Sequence, residues 1–160
     1  MRKFFFLLPM ALLLVQACSS SDSTSNIPLT VEAVQNIATS GPWKVTYLAT
    51  VGGEVKTNEY QGYSFTFNQI NNSTTSNNVN DNFQGTWFVA NPIENQLYFS
   101  LDFQEALNIY SIDAYWRLIE IKNNKIVLKI STNNEDISSW YYNLSSDPSI
   151  YPTDLIFEKI

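Results

Sequence analysis

Beginning at Gly41, apolar residues recur at alternate positions in short runs, and each run is cut by Gly, Pro or Asn before the next begins. A period of two places one set of side chains on one face of a strand, and closely spaced turn residues join each strand to its neighbour. A chain written this way has few options beyond an antiparallel all-β domain. Trp43, Val45, Tyr47 and Ala49 share one face of the first predicted strand. Gly52-Gly53 follows, a pair able to take the positive φ angles of a tight hairpin. Val55–Glu59 and Tyr63–Ile70 come next, with Tyr63, Phe65 and Phe67 on one face, and then an Asn71-Asn72 turn. Ser73–Asn80 is polar and of low complexity, either a weak edge strand or a loop. Phe83–Ala90 carries Trp87 and Val89 on one face, and Asn91–Asn95 turns the chain. Leu97, Phe99, Leu101 and Phe103 then form the clearest stripe in the sequence.

Two segments read as helical. Thr30 is placed to cap a turn holding Val31, Val34 and Ile37, with Glu32 near the positive end of its dipole. Gln104–Tyr110 is a second short helix or an irregular crossing between strands. Beyond it, Ala114–Ile121, an Asn123-Asn124 turn and Lys125–Ile130 make another hairpin, with Ile126, Leu128 and Ile130 inward. Ser131–Thr153 is a long loop or irregular hairpin, and Leu155 and Phe157 lie on a final strand. Sequential strands pair with their neighbours, and closing the sheet removes its exposed edges. The expected fold is an up-and-down meander of about eight strands closing into a barrel, which is either filled by side chains or holds one small ligand. A short helix precedes it, and an open β-sandwich is the alternative.

Composition narrows the function. The 160 residues are 44% apolar and 14% aromatic, which suits one core and not two. No histidine and a single cysteine leave no disulfide framework, no Cys/His zinc site and no Ser-His-Asp or Cys-His triad. A net charge of −6 argues against nucleic acid, whose binding rewards clustered Lys and Arg. Asp102, Glu105 and Asp113 lie close in sequence, and a glycosidase needs two carboxylates, but no oxyanion hole or phosphate loop accompanies them. Asn133-Asn134-Glu135-Asp136 lacks the spacing and glycine of a calcium loop. The expectation is a binding protein, not an enzyme, with neither cofactor nor metal.

The first residues carry an address. Arg2 and Lys3 precede an apolar run from Phe4 to Val15, which as a helix spans about 18 Å, short of the ~30 Å of a bilayer core. This is the anatomy of a secretory signal over residues 1–17. Val15-Gln16-Ala17-Cys18 resembles the lipobox of bacterial lipoproteins, which implies cleavage before Cys18 and lipid on its sulfur and new N-terminus. The run Ser19–Asn26 is small and polar, and residues 18–28 read as a lipidated flexible tether. Ser19 stands where inner-membrane lipoproteins commonly carry aspartate, so the resemblance implies the outer membrane, on its periplasmic or surface face. Asp22-Ser23-Thr24 looks like the short O-glycosylation motif of Bacteroidetes. Loss of residues 1–17 removes two basic residues and no acidic one, leaving a net charge of −8 and the lipid as the only membrane attachment.

Gly41-Pro42-Trp43, following a short helix and opening the first strand, resembles the G-x-W signature of lipocalins. The order Phe65-x-Phe67, the Asn-rich turn, Gly85-Thr86-Trp87, the Leu-x-Phe stripe, a strand with Trp116 and a closing Leu155-x-Phe157-x-Lys159 looks like the lipocalin-like lipoproteins of Bacteroidetes over nearly all of residues 29–160. The resemblance implies a calycin-type barrel domain and a binding function. It also implies an arginine packed over the first tryptophan; the final strand offers Lys159 instead, with Arg117 as the substitute from an unexpected strand.

Tyr47, Phe65, Phe67, Trp87 and Phe99 are the candidate lining of an interior site, or alternatively the packing of a solid core. Trp43 is expected to plug the closed end of the barrel, its N–H on a backbone acceptor. Trp140, Tyr141 and Tyr142, with Tyr151, interrupt an otherwise polar loop and are candidates for a lid or a recognition surface. Two readings follow. In the first, a monomeric lipoprotein, membrane-bound through Cys18, holds a small apolar or amphiphilic ligand. In the second, a cavity-less module recognises protein or glycan through its loops.

Overall fold

A computed structural model of the chain describes residues 29–93, 95–103, 112–130 and 151–160. Eight strands wind in chain order into one closed antiparallel barrel. They are β1 (Trp43–Thr50), β2 (Ser64–Phe67), β3 (Ser73–Asn77), β4 (Asn82–Ile93), β5 (Gln96–Asp102), β6 (Ala114–Lys122), β7 (Lys125–Lys129) and β8 (Pro152–Lys159). Closure is made by β1 and β8, in register from Trp43 opposite Lys159 to Thr50 opposite Pro152. The fold is the all-β lipocalin-like barrel expected, and the sandwich alternative is excluded. Helix α1 (Val31–Ala38) precedes β1, capped by Thr30, whose hydroxyl accepts the Ala33 N–H at 3.1 Å. Its apolar face buries Val34 and Ala38 completely.

The turns fall at the predicted asparagines and glycines: Gly53 (φ 79°) and Asn72 (φ 51°) take the left-handed conformation that those residues tolerate best. Inward stripes follow the sequence pattern on most strands, with Leu97, Phe99 and Leu101 on β5, Ile126 and Leu128 on β7, and Leu155 and Phe157 on β8 all buried.

Three departures have local causes. The β1–β8 register slips between Val45 and Tyr47, so Thr46 is an extra residue, a bulge. Past the bulge the alternation inverts. Leu48 points in and is fully buried, while Tyr47 turns outward and is 38% exposed, contrary to the stripe drawn from the sequence. The predicted strand Val55–Glu59 is instead a single bridge from Val55 to Ala49 and one 3-10 turn, Thr57–Tyr60. Here the chain completes the edge of β1 with two backbone bonds, Thr50 N–H to Glu54 O at 3.0 Å and Lys56 N–H to Leu48 O at 2.9 Å, and one side chain, Thr57 Oγ1, which accepts the Leu48 N–H at 3.0 Å. Finally, Ser73–Asn77 of the low-complexity stretch is a strand, and not an edge strand, with 78–80 in the turn that follows: β3 pairs with β2 on one side and β4 on the other.

The contact between β1 and β2 is the thinnest seam, registered only at Trp43 opposite Phe65. At Gly85 on β4 the opposite holds. A Cβ built there would lie 2.3 Å from the carbonyl oxygen of Asp102 and 2.8 Å from the Phe103 ring, so glycine permits this close approach. The expectations for residues 1–28, Gln104–Tyr110 and the loop to residue 150 fall outside the described residues.

Candidate functional site

One end of the barrel is closed by α1 and Trp43. The indole is fully buried, and its Nε1–H donates to the Ala38 carbonyl at 2.7 Å, tying the plug to the last turn of the helix. Lys159 Nζ sits 6.0 Å from the Trp43 ring centroid and donates to Ser40 Oγ at 2.9 Å. A lysine at the end of β8 thus takes the covering position for which the resemblance implied an arginine. Arg117 does not: it lies in register with Tyr98 and Lys129, opposite in facing to the buried Trp116 and Leu118. Trp87 and Trp116, also buried, donate their Nε1–H groups to the carbonyls of Asn68 (3.0 Å) and Ile112 (2.9 Å).

Phe65, Phe67, Trp87 and Phe99 come together inside the barrel. The rings of Phe67, Trp87 and Phe99 form a mutual triad with centroids 5.2–5.4 Å apart, and Phe65 meets Phe157 at 5.3 Å and Phe103 at 6.1 Å. Phe67, Trp87 and Phe99 therefore touch one another, and Phe157, 6.0 Å from Phe67, links them to Phe65. Tyr47 is removed from the lining by the bulge. Trp140, Tyr141, Tyr142 and Cys18 lie outside the described residues; Tyr151 is described, and its carbonyl accepts the Val51 N–H at 2.8 Å.

The interior has a polar wall that the sequence did not announce. On β3, Thr74 lies between Phe67 and Gly85, and Ser76 between Phe65 and Phe83. Both are fully buried, and among the described residues neither hydroxyl has a hydrogen-bond partner. Thr50, at the far end of β1, is buried and unpartnered in the same way. Leaving a buried hydroxyl unsatisfied costs about 1–3 kcal/mol. In the sequence these residues read as polar filler, although Thr74 and Ser76 hold the same two-residue spacing as any inward stripe.

The opposite end, at the turn between β3 and β4, carries aromatic and acidic groups. Tyr63 stacks on Phe83 with centroids 6.3 Å apart and donates its hydroxyl to Asp81 Oδ2 at 3.1 Å. Burial, then the Asp81 bond and charge, raise the Tyr63 hydroxyl above its ordinary pKa. Between β5 and β6, Asp113 Oδ1 accepts the Phe103 N–H at 2.9 Å. Burial pushes the Asp113 carboxyl up to about 7, the Phe103 bond opposing and the Asp102 charge adding to the shift.

That shift predicts a pH dependence. The unfolded chain loses this proton near the ordinary 3.8, whereas the folded protein holds it to about 7. Over that window the unfolded state binds fewer protons, so the stability associated with Asp113 falls as pH rises. Asp113→Asn should gain on the wild type through this interval and hold its advantage above it. Urea midpoints of both proteins, measured from acid to mild alkali, should diverge upward; parallel curves would show that Asp113 is not desolvated.

Compared with known protein families, curated proteins and solved structures, the chain matches none.

Proposed function

We propose that the chain is a lipid-anchored lipoprotein of the cell envelope, at the outer membrane, whose barrel binds a small apolar or amphiphilic molecule and performs no chemistry on it. The observation that carries the binding reading is the pair of buried, unpartnered hydroxyls on β3. By contrast, the indole N–H groups of Trp43, Trp87 and Trp116 each have a bonded carbonyl. Unmet hydroxyls beside aromatic rings offer one part of a guest hydrogen bonds and the rest an apolar surface. The lipobox-like Val15-Gln16-Ala17-Cys18 and the polar tether support the anchor. Strands of four and five residues, β2 and β3, are shorter than the roughly nine to eleven residues a membrane-crossing strand takes. Attachment then falls to acyl chains on Cys18, and the barrel acts as a monomer.

The second reading, recognition of protein or glycan by the surface, has an observation of its own: Phe88, 38% exposed, meets Tyr115 at 5.3 Å on the outer wall. Native mass spectrometry of protein extracted from membranes separates the two. We expect a mass showing cleavage before Cys18 with acyl chains attached, plus a small guest released on unfolding. Cys18→Ser should abolish membrane attachment and keep the guest. A cleaved, unlipidated wild-type chain would sink the anchor; a lipidated chain with an empty barrel would favour the surface reading.

A further inference from the structure

Resting on the anchor reading above, we infer that the outer wall of β4–β6 lies against the membrane to which Cys18 ties the barrel, with Phe88 and Tyr115 in the head-group layer and Arg117 on a lipid phosphate. The register builds this wall. Phe88, Ser100 and Tyr115 stand side by side on the three strands, and Tyr98 and Arg117 form the next row. They alternate with the buried Trp87, Phe99 and Trp116, so they face outward. The Tyr115 ring meets Phe88 at 5.3 Å and Tyr98 at 6.0 Å. Ile119, the extra residue of β6 where its register with β7 slips, is 42% exposed just beyond. No acidic residue stands among these positions; Asp102 and Glu120 bound the wall at its two ends. The other walls differ. β2 and β3 turn Ser64, Thr66 and Thr75 outward, while β7 and β8 set Lys125 opposite Glu158 and pair Lys129 with Asp154 at 2.9 Å.

Two observations point to lipid. Exposed apolar surface marks a protein or membrane contact, and aromatic rings beside a basic residue are the side chains that collect at the head-group level. Arg117 is the basic residue of this wall, and among the described residues no ion pair holds it, although Lys56, Lys122, Lys125 and Lys129 each have one. A guanidinium left free among aromatics suits a phosphate, which it can grip with two parallel N–H groups. The second observation is where the tether ends. Helix α1 follows Leu29 and packs against β4 and β6, the strands that edge this wall. From Cys18 to Leu29 the chain can extend no further than about 40 Å, which keeps the wall within reach of the bilayer. One cation and a few rings are too little to hold a free acidic barrel at a membrane. The lipid holds it, and this wall decides which side faces the bilayer.

The test uses the lipidated chain extracted from membranes, placed in phosphatidylcholine vesicles with or without phosphatidylglycerol and recovered by flotation. A nitroxide is attached at Thr86→Cys, one row from Phe88 on β4, or at Thr66→Cys, on β2 and three strands from β5. We expect the β4 label to lose access to an aqueous nickel reagent and gain access to oxygen, while the β2 label stays in water. Phe88→Thr should return the β4 label to water in both membranes. Arg117→Gln should lower its ratio of membrane-bound to free signal about fivefold with phosphatidylglycerol present and less without it. Arg117 faces outward and makes no ion pair, so this variant serves if Phe88→Thr does not fold. Equal water access at both labels in floated protein, or a ratio indifferent to both substitutions, would overturn the inference and leave the anchor standing. Protection that fades as the protein is diluted in lipid would place a second copy on the wall and overturn it as well. A wild-type chain that does not float refutes the anchor, and the inference with it.

Discussion

Trp43→Ala is expected to lower the unfolding free energy by about 3–5 kcal/mol, the range for deleting a large buried aromatic and a sizeable share of a small domain's total. Three losses coincide at this position. The indole is fully buried against the closed end, so its removal opens a void that α1 and the strands cannot fill without moving. The Ala38 carbonyl loses its donor at the end of the helix. The registered partner of Phe65 across the β1–β2 seam is cut back to a methyl, and Lys159 loses the ring it covers. Trp43→Phe should recover more than half of the loss, since it restores most of the volume but not the N–H. Chemical denaturation of the three proteins checks this ranking. An alanine variant melting within a few degrees of wild type would show that the closed end does not depend on the indole.

Gly85→Ala should be nearly as damaging, although it adds only a methyl group. That methyl would sit 2.3 Å from a backbone oxygen, at Asp102, and 2.8 Å from the Phe103 ring. A side chain can rotate away; the β5 backbone cannot do so without loosening its ladder with β4, which runs in register from Thr86 opposite Asp102 to Ala90 opposite Tyr98. We expect a loss of about 3 kcal/mol, the upper end of the cost of overpacking. Adding Phe103→Ala to Gly85→Ala should fail to restore stability, because the main obstacle is the carbonyl. Rescue by that second substitution would place the conflict at the ring instead.

Much of this architecture was legible because local and tertiary demands agree. Thr30 caps the predicted helix, Leu97, Phe99 and Leu101 point inward, and Asn72 and Gly53 turn the chain where their residue types allow. Tyr47 was misplaced because the bulge at Thr46 leaves no mark in the pattern: Tyr47, Leu48 and Ala49 are all apolar, so either phase reads as a stripe. Thr57 escaped notice because its hydroxyl, accepting from Leu48, stands in for one backbone acceptor at that edge. Thr74 and Ser76 were missed for the converse reason. Polarity in a strand ordinarily marks the solvent face, and here it marks the interior. The covering role of Lys159 could be anticipated only as a gap in a pattern, since its reach to Ser40 and Trp43 depends on barrel closure.

The pairing of β1 with β8 fixes an order of events. Ser40 and Lys159 are 119 residues apart, whereas β4 with β5 and β6 with β7 are hairpins of adjacent strands. Closing a longer loop costs more entropy, and non-local pairing slows folding, so the hairpins form early and the first strand made is the last to gain its partner. Until β8 arrives, one side of β1 is an unpaired edge with Trp43 at its start, the kind of surface on which partly folded chains associate. For a chain that must cross a membrane to become the cell-envelope lipoprotein proposed above, this lateness has a use. Nothing fully closed can obstruct the passage, because the barrel shuts only when the strand that completes it has come through.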